Sequence, residues 1–264
     1  AYLLWRIHEV DAQRKELALA QFKADTANLA GGLEYFFLQR HNDMEIVVES
    51  RAVEVYFENS ALGVPTRNGL PASLREVEAV LAKTLDERRV GQSPVFEAFV
   101  LLDVSGEVLA QASAASANAA SIGHLPGRES WPDSQMVHDD GFAWVILDNS
   151  GSPQPSILMA HPVRLKGQEV GQFVARLSFP LLLQAVFKDE GPARQRVHFL
   201  GCDGRNLFSQ TGARLEAPQE FSGLGGDVGF LRSAPEVVAP LRDWTGPCLV
   251  AAAPVFGSPL RVFA

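Results

Sequence analysis

Apolar residues recur at helical spacing through roughly the first ninety positions, where the alternation expected of strands is almost absent. Leu3, Ile7, Val10 and Leu17 form one stripe, and Phe22, Leu29, Leu33 and Phe36 continue it on a drifting face, which predicts one long helix to about residue 40. Gly31 and Gly32 lie inside it, each costing about 1 kcal/mol relative to Ala and marking a place for a bend. Asn42 or Asp43 is the expected cap of a second helix, with Met44, Val47, Val48, Ala52, Val55 and Tyr56 on one face. The stretch YFENSALGVPTRNGL (56–70) then reads as a joint: Gly63 suits a left-handed position after the last turn, and Pro65 cannot continue a helix. A third helix is predicted from about Ala72 to Arg89, burying Leu74, Val77, Leu81 and Leu85.

After Gln92 the period changes. FEAFVLLDVSGEVLAQAS (96–113) is an apolar run, a Ser-Gly turn and a second apolar run, the pattern of a hairpin. AASANAAS is a low-complexity loop, and FAWVILD (142–148), SILMAHPVRL (156–165) and EVGQFVARLS (169–178) are three further strands joined by short turns. FPLLLQAVFKDEGP (179–192) reads as a connecting helix.

The pattern then repeats. FVLLDVSGEVLA (99–110) is echoed by HFLGCDGRNLFS (198–209), with turns at Gly106 and Gly204 and a Leu three residues on, at Leu109 and Leu207. Ala160-His161-Pro162-Val163 is echoed in the same way by Ala252-Ala253-Pro254-Val255. A period of about 95 residues implies two copies of a mixed domain, since solenoid units run to about 20–50 residues.

Composition narrows the function classes. With 47% apolar residues the chain of 264 residues can bury a proper core. A net charge of −8 without clustered Lys and Arg excludes a nucleic-acid surface. No apolar run is long enough to span a bilayer, and no amino-terminal leader pattern is present. Both ends fall inside apparent elements, as expected of a domain cut from a longer protein. Cys202 and Cys248 are either a single bridge, adding about 3–4 kcal/mol in the chain-entropy model, or two buried thiols.

A long helix followed by two strand-rich modules resembles the double Cache sensor domains of bacterial transmembrane receptors, and YFENSALGVPTRNGL is similar to a segment of sensor regions ahead of histidine kinase or diguanylate cyclase modules. The resemblance implies an α+β fold: a long N-terminal signalling helix over 1–45, a membrane-distal PAS-like ligand-binding module over 46–185 and a smaller membrane-proximal PAS-like module over 186–264, each module built on a five-stranded antiparallel sheet. It implies a periplasmic location between two membrane helices lying outside this sequence, a small-molecule ligand such as an amino acid or carboxylate, no cofactor, no metal and no catalytic residue. A homodimer through the stripe Leu3, Ile7, Val10 and Leu17 is a further expectation, weakened by Arg14 and Gln21 on the same seam.

In amino-acid-binding members of that family an R-x-W-Y run holds the ligand carboxylate and a later Asp receives the amino group. The counterpart here is Arg128-Glu129-Ser130-Trp131-Pro132, one residue longer between Arg and Trp and with Pro in the Tyr place; Asp148 stands where the later Asp is expected. The candidate ligand residues are therefore Arg128, able to bind a carboxylate through two parallel hydrogen bonds, Trp131 and Trp144 as pocket walls, Asp148 and His161. Each also has an ordinary use: a solvated loop Arg, packed rings, a turn-opening Asp, a core His. His138-Asp139-Asp140 reads as a solvated loop rather than a metal site, and Gly223–Gly229 as a loop without the phosphate-binding spacing. Hydrolase, P-loop and zinc-protease signatures are missing. Two rivals remain: a periplasmic hydrolase or transferase around Asp139, Asp140 and His161, and an interaction module without a small-molecule ligand.

Overall fold

A computed structural model of the chain describes residues 2–63, 69–114, 131, 136–137, 140–147 and 156–187, and beyond these the strand backbone at 199–201, 206–209, 214–216, 228–231, 248–254 and 261–263. Helix α1 spans Tyr2–Val48, α2 Arg51–Ala61, α3 Leu70–Glu87 and α4 Phe179–Phe187. Strands β1 (Arg89–Val90) and β2 (Ser93–Pro94) form a small ladder. The first large sheet comprises β3 (Phe96–Asp103), β4 (Val108–Ser113), β5 (Met136–Val137), β6 (Ala143–Leu147), β7 (Ser156–Leu165) and β8 (Gln168–Leu177). The second comprises β9 (Phe199–Gly201), β10 (Asn206–Ser209), β11 (Arg214–Glu216), β12 (Val228–Leu231), β13 (Cys248–Pro254) and β14 (Arg261–Phe263).

The strand orders are β4-β3-β8-β7-β6-β5 and β11-β10-β9-β14-β13-β12, antiparallel throughout. Superposing the echoed segments places β9 on β3, β10 on β4 and β13 on β7, and the shared order β4-β3-β8-β7-β6 then reappears as β10-β9-β14-β13-β12. The sequence repeat is thus a repeat of topology. Each sheet has six strands rather than the expected five, because β5 and β11 each add an outer strand at opposite ends of the shared order. Val228 and Gly229, read from the sequence as the end of a loop, open β12 instead. The chain divides into two compact units, one formed by Ala1–Tyr35 with Val186–Ala264 and the other, larger one by Phe36–Ala185.

The largest departure from the sequence expectation is in α1, which passes Asn42 and Asp43 without a break. Asp43 does not cap a helix. Its carboxylate is buried, accepting Arg40 Nε at 2.9 Å from one turn back and Arg88 Nε at 2.8 Å from the end of α3. An acid committed to two guanidinium groups has no oxygen to spare for the free N–H groups of a new first turn. The break falls at Glu49-Ser50, where Ser50 takes extended backbone angles ahead of α2. This shift changes the phase of α2, so that it buries Val53, Tyr56 and Phe57 rather than Ala52 and Val55. Helix α3 buries Ser73, Val77, Leu81 and Leu85, with Leu74 half-buried. Gly63 holds the positive φ of 65° expected of it.

Strand alternation divides the first sheet cleanly. Phe99 and Leu101 of β3, Phe173 and Ala175 of β8, Ile157, Met159 and His161 of β7 and Trp144 of β6 are matched across the ladders and share one face. The segment Phe36–Val48 of α1 lies on this face, with Phe37 stacked on Trp144 at 4.3 Å between ring centroids. Helix α2 reaches it through Phe57, whose ring stands against Gly171 of β8.

Gly171 and Gly31 predict opposite responses to the same methyl group. A Cβ at Gly171 would run into the Leu102 carbonyl oxygen and the Phe57 ring, so Gly171→Ala is expected to destabilise the larger unit by about 3 kcal/mol through overpacking. Gly31 is a helix-interior position with nothing within 4 Å, so Gly31→Ala is expected to stabilise by about 1 kcal/mol. Urea unfolding of the two variants checks both signs.

Candidate functional site

The opposite face of the first sheet is built differently. Ala98, Val100 and Leu102 of β3, Ala143 and Val145 of β6, Leu158 and Ala160 of β7 and Val174 of β8 form one buried cluster, and Trp131 packs into it. Three of the floor residues are alanines, which leave depth above the backbone, and the Trp131 ring, only 6% exposed, lies against that floor. Short side chains under a large flat ring are the ingredients of an apolar pocket with a polar handle at the indole N–H.

The same face carries a charged pair. Arg176 of β8 is matched with Ala98 and Leu158 across the ladders, and its Nε lies 2.9 Å from Glu97 Oε2. The register shift between Phe96 and Ala98 sets Glu97 beside Arg176 while Phe96 turns to the helices, where its ring meets Phe99 at 4.7 Å. Burial pushes the Glu97 carboxyl above its ordinary range, opposed by the attraction of, and hydrogen bond from, Arg176. Sequence reasoning missed Arg176, because an Arg in an apolar strand reads as an outward-facing charge until the register is known.

The residues singled out from sequence separate accordingly. Trp131 is on the alanine-floored face. Trp144 and His161 are on the helix face, with the sheet between them and Trp131. Arg128 and Asp148 lie outside the described residues, as do His138, Asp139, Cys202 and the AASANAAS loop.

On the helix face a second group of polar side chains converges. His41 of α1 places Nε2 at 2.9 Å from Asp140 Oδ2, stacks on Phe142 at 4.2 Å and faces the His161 ring at 5.5 Å. Asp140 also accepts the Phe142 N–H at 2.9 Å through Oδ1, closing the turn that enters β6. Asp140, read from sequence as a solvated loop residue, is exposed but engaged, and His41 was not singled out at all. Asp140 and His161 do come together; the third member arrives from a helix about a hundred residues earlier in the chain.

No protein-family model matches the sequence, and no curated protein is similar to it. Among solved structures the chain has the fold of sensory ligand-binding domains, with a long helix and two antiparallel sheets, the double Cache arrangement. It is similar to the sensory domain of the Campylobacter jejuni chemoreceptor Tlp3 with isoleucine bound, at 11% identity and a TM-score of 0.56 over 96% of this chain and 93% of that one. The sensor domain of the Vibrio cholerae histidine kinase DctB matches at 13% identity and 0.56 over 95% and 97% of the two chains. The ligand-binding domain of the Pseudomonas aeruginosa amino acid chemoreceptor PctB, in complex with L-Arg, matches at 13% and 0.54 over 94% of each.

The raised Glu97 carboxyl fixes a sign. A carboxyl that protonates more readily folded than unfolded gives the folded state extra bound protons, so its contribution to stability is lost as pH rises from the ordinary carboxylate range through the raised value. Glu97→Gln is expected to remove that part of the pH dependence. Arg176→Met leaves the carboxylate buried without its partner and is expected to cost about 3 kcal/mol near neutral pH. Denaturant titrations between pH 4 and 7 separate the two outcomes.

Proposed function

We propose that this chain is the extracytoplasmic sensor region of a bacterial transmembrane signalling receptor, a histidine kinase in the first instance, and that it binds a small molecule without transforming it. The observation that carries the reading is the Trp131 ring lying on the alanine-floored face of the larger sheet, in a fold shared with domains whose bound ligands are isoleucine and L-Arg. An amino acid or small carboxylate suits this face: its apolar part meets Ala98, Ala143 and Ala160, and Arg128 and Asp148 supply the charges that the resemblance assigns to them. The membrane-distal assignment of this module, the proximal assignment of the second sheet and a periplasmic location between membrane helices belong to the same proposal.

Strand β6 supplies the route for a signal. Ala143 and Val145 face the proposed ligand, while Phe142 and Trp144 face α1 through His41 and Phe37. A ligand that moves β6 therefore moves the helix. It does so only to the extent that it prefers one arrangement: a tenfold preference supplies about 1.4 kcal/mol, and equal affinity supplies nothing.

Thermal shift measurements against a panel of L-amino acids, small carboxylates and amines test the reading. The expected result is saturable stabilisation by at least one member, weakened tenfold or more by Trp131→Ala and by Arg128→Ala. Stabilisation that survives both substitutions would remove the alanine-floored face from the site. Turnover of a substrate, abolished by His161→Ala, would replace the sensor by the hydrolase reading. On α1, Val10 and Leu17 are 40% and 70% exposed, as a dimer seam requires. Sedimentation equilibrium should then show a dimer that Leu17→Glu weakens at least tenfold.

A further inference from the structure

We infer that His41, Asp140 and His161 form a binding site for a divalent cation of the zinc class, on the helix face of the sheet and separate from the small-molecule site proposed above. One ligand atom from each residue lies within 4.8 Å of the others. Two atoms bound to a tetrahedral zinc stand about 3.4 Å apart for bond lengths of about 2.1 Å, so closure about an ion requires shifts of the order of an ångström, within reach of side-chain rotation. His41 Nε2 and Asp140 Oδ2 are already at 2.9 Å.

The surroundings prepare the donors. His161 Nδ1 lies 3.0 Å from the Pro162 carbonyl oxygen. Donation to that carbonyl keeps the proton on Nδ1 and leaves the Nε2 lone pair for a metal, the arrangement in which an outer carbonyl orients a ligating imidazole. His41 is held by its stack on Phe142. Asp140 is brought in by Gly141, which has φ +90° and whose absent Cβ would stand 3.0 Å from Pro162 and Arg164. Only glycine allows this turn to approach β7 so closely, and the approach delivers the carboxylate.

The site opens on a cavity of about 500 Å³. Around it Glu45, Glu49, Glu54 and Glu58 outnumber Arg164 and Lys166, which favours entry of a cation, and the open side leaves room for water as a fourth ligand. Two imidazoles with one carboxylate select a late first-row ion over magnesium or calcium, which prefer all-oxygen sets. A bound ion ties α1 to both β7 and the turn before β6, so it fixes the helix against the sheet.

Zinc alone is the probe. Equilibrium dialysis of the wild-type chain against micromolar Zn2+ should retain one ion per chain, with a saturable rise in the thermal midpoint that Mg2+ does not give, and Co2+ should show the visible absorption of a tetrahedral site. Asp140→Asn, at an exposed turn, and His161→Gln, of similar volume, should each weaken zinc at least tenfold, while circular dichroism verifies that both remain folded. Failure to retain zinc, or full retention in the two variants, overturns the assignment. Neither result touches the small-molecule reading, which is tested through Trp131.

Discussion

The alternation of side chains across the first sheet is the constraint on which the rest depends. Each residue of β3, β6, β7 and β8 is committed by parity to one of two environments, and the ladders propagate that commitment from strand to strand. One face takes aromatic rings and packs against helices. The other takes alanines and valines and packs against Trp131. A slip of one residue in β6 would exchange Trp144 for Ala143 and leave neither face able to pack, so the register and the division of labour are a single property.

The helix face is held by more than apolar contact. Asp43 receives Arg40 from its own helix and Arg88 from the end of α3, a pairing that fixes where α3 ends relative to the last turns of α1. Burial pushes the Asp43 carboxyl upward while the two guanidinium groups pull it down, and burial likewise lowers Arg40. Buried charges of this kind contribute little net stability, because desolvation offsets the attraction; they are costly to break and so favour one geometry. The consequence for the chain is continuity: α1 runs for 47 residues, about 70 Å at helical rise, without the joint that Asn42 and Asp43 suggest.

Much of the architecture was legible because periodicity reports burial. Strand β7 matches the reading SILMAHPVRL at both ends, β8 agrees within one residue and the hairpin turns at Gly106 with φ +81°. The repeat was legible for a related reason, since the same turn and the same A-x-P-V run recur wherever the same topology must form. What sequence could not supply was long-range partnership. Asp43 has the residue type of a cap, and only Arg88, 45 positions later, makes it a buried ion pair. His41 looks like one more polar residue on a long helix until the turn at Asp140 folds against it. Trp131 and Trp144 are both rings near the proposed pocket in sequence, but the parity of β6 commits Trp144 to Phe37 and so to the opposite side of the sheet from Trp131.

Strand β6 is where the two environments meet most closely. Its alternate residues contribute both to the alanine floor and to the stacks on α1, so the floor cannot be displaced at Ala143 without carrying Phe142 and Trp144 with it. Close-packed rings transmit such a displacement because they have no room to absorb it: a gap of half an ångström to an ångström already forfeits a quarter to a half of the dispersion energy of each contact. Phe37 against Trp144 at 4.3 Å and His41 against Phe142 at 4.2 Å are two such contacts, four residues apart on one side of α1. Tilting the strand lifts one ring pair before the other, whereas sliding the strand moves both together, so the response available to α1 is a translation or a small rotation as a rigid segment. That is the form of motion a long uninterrupted helix is built to carry.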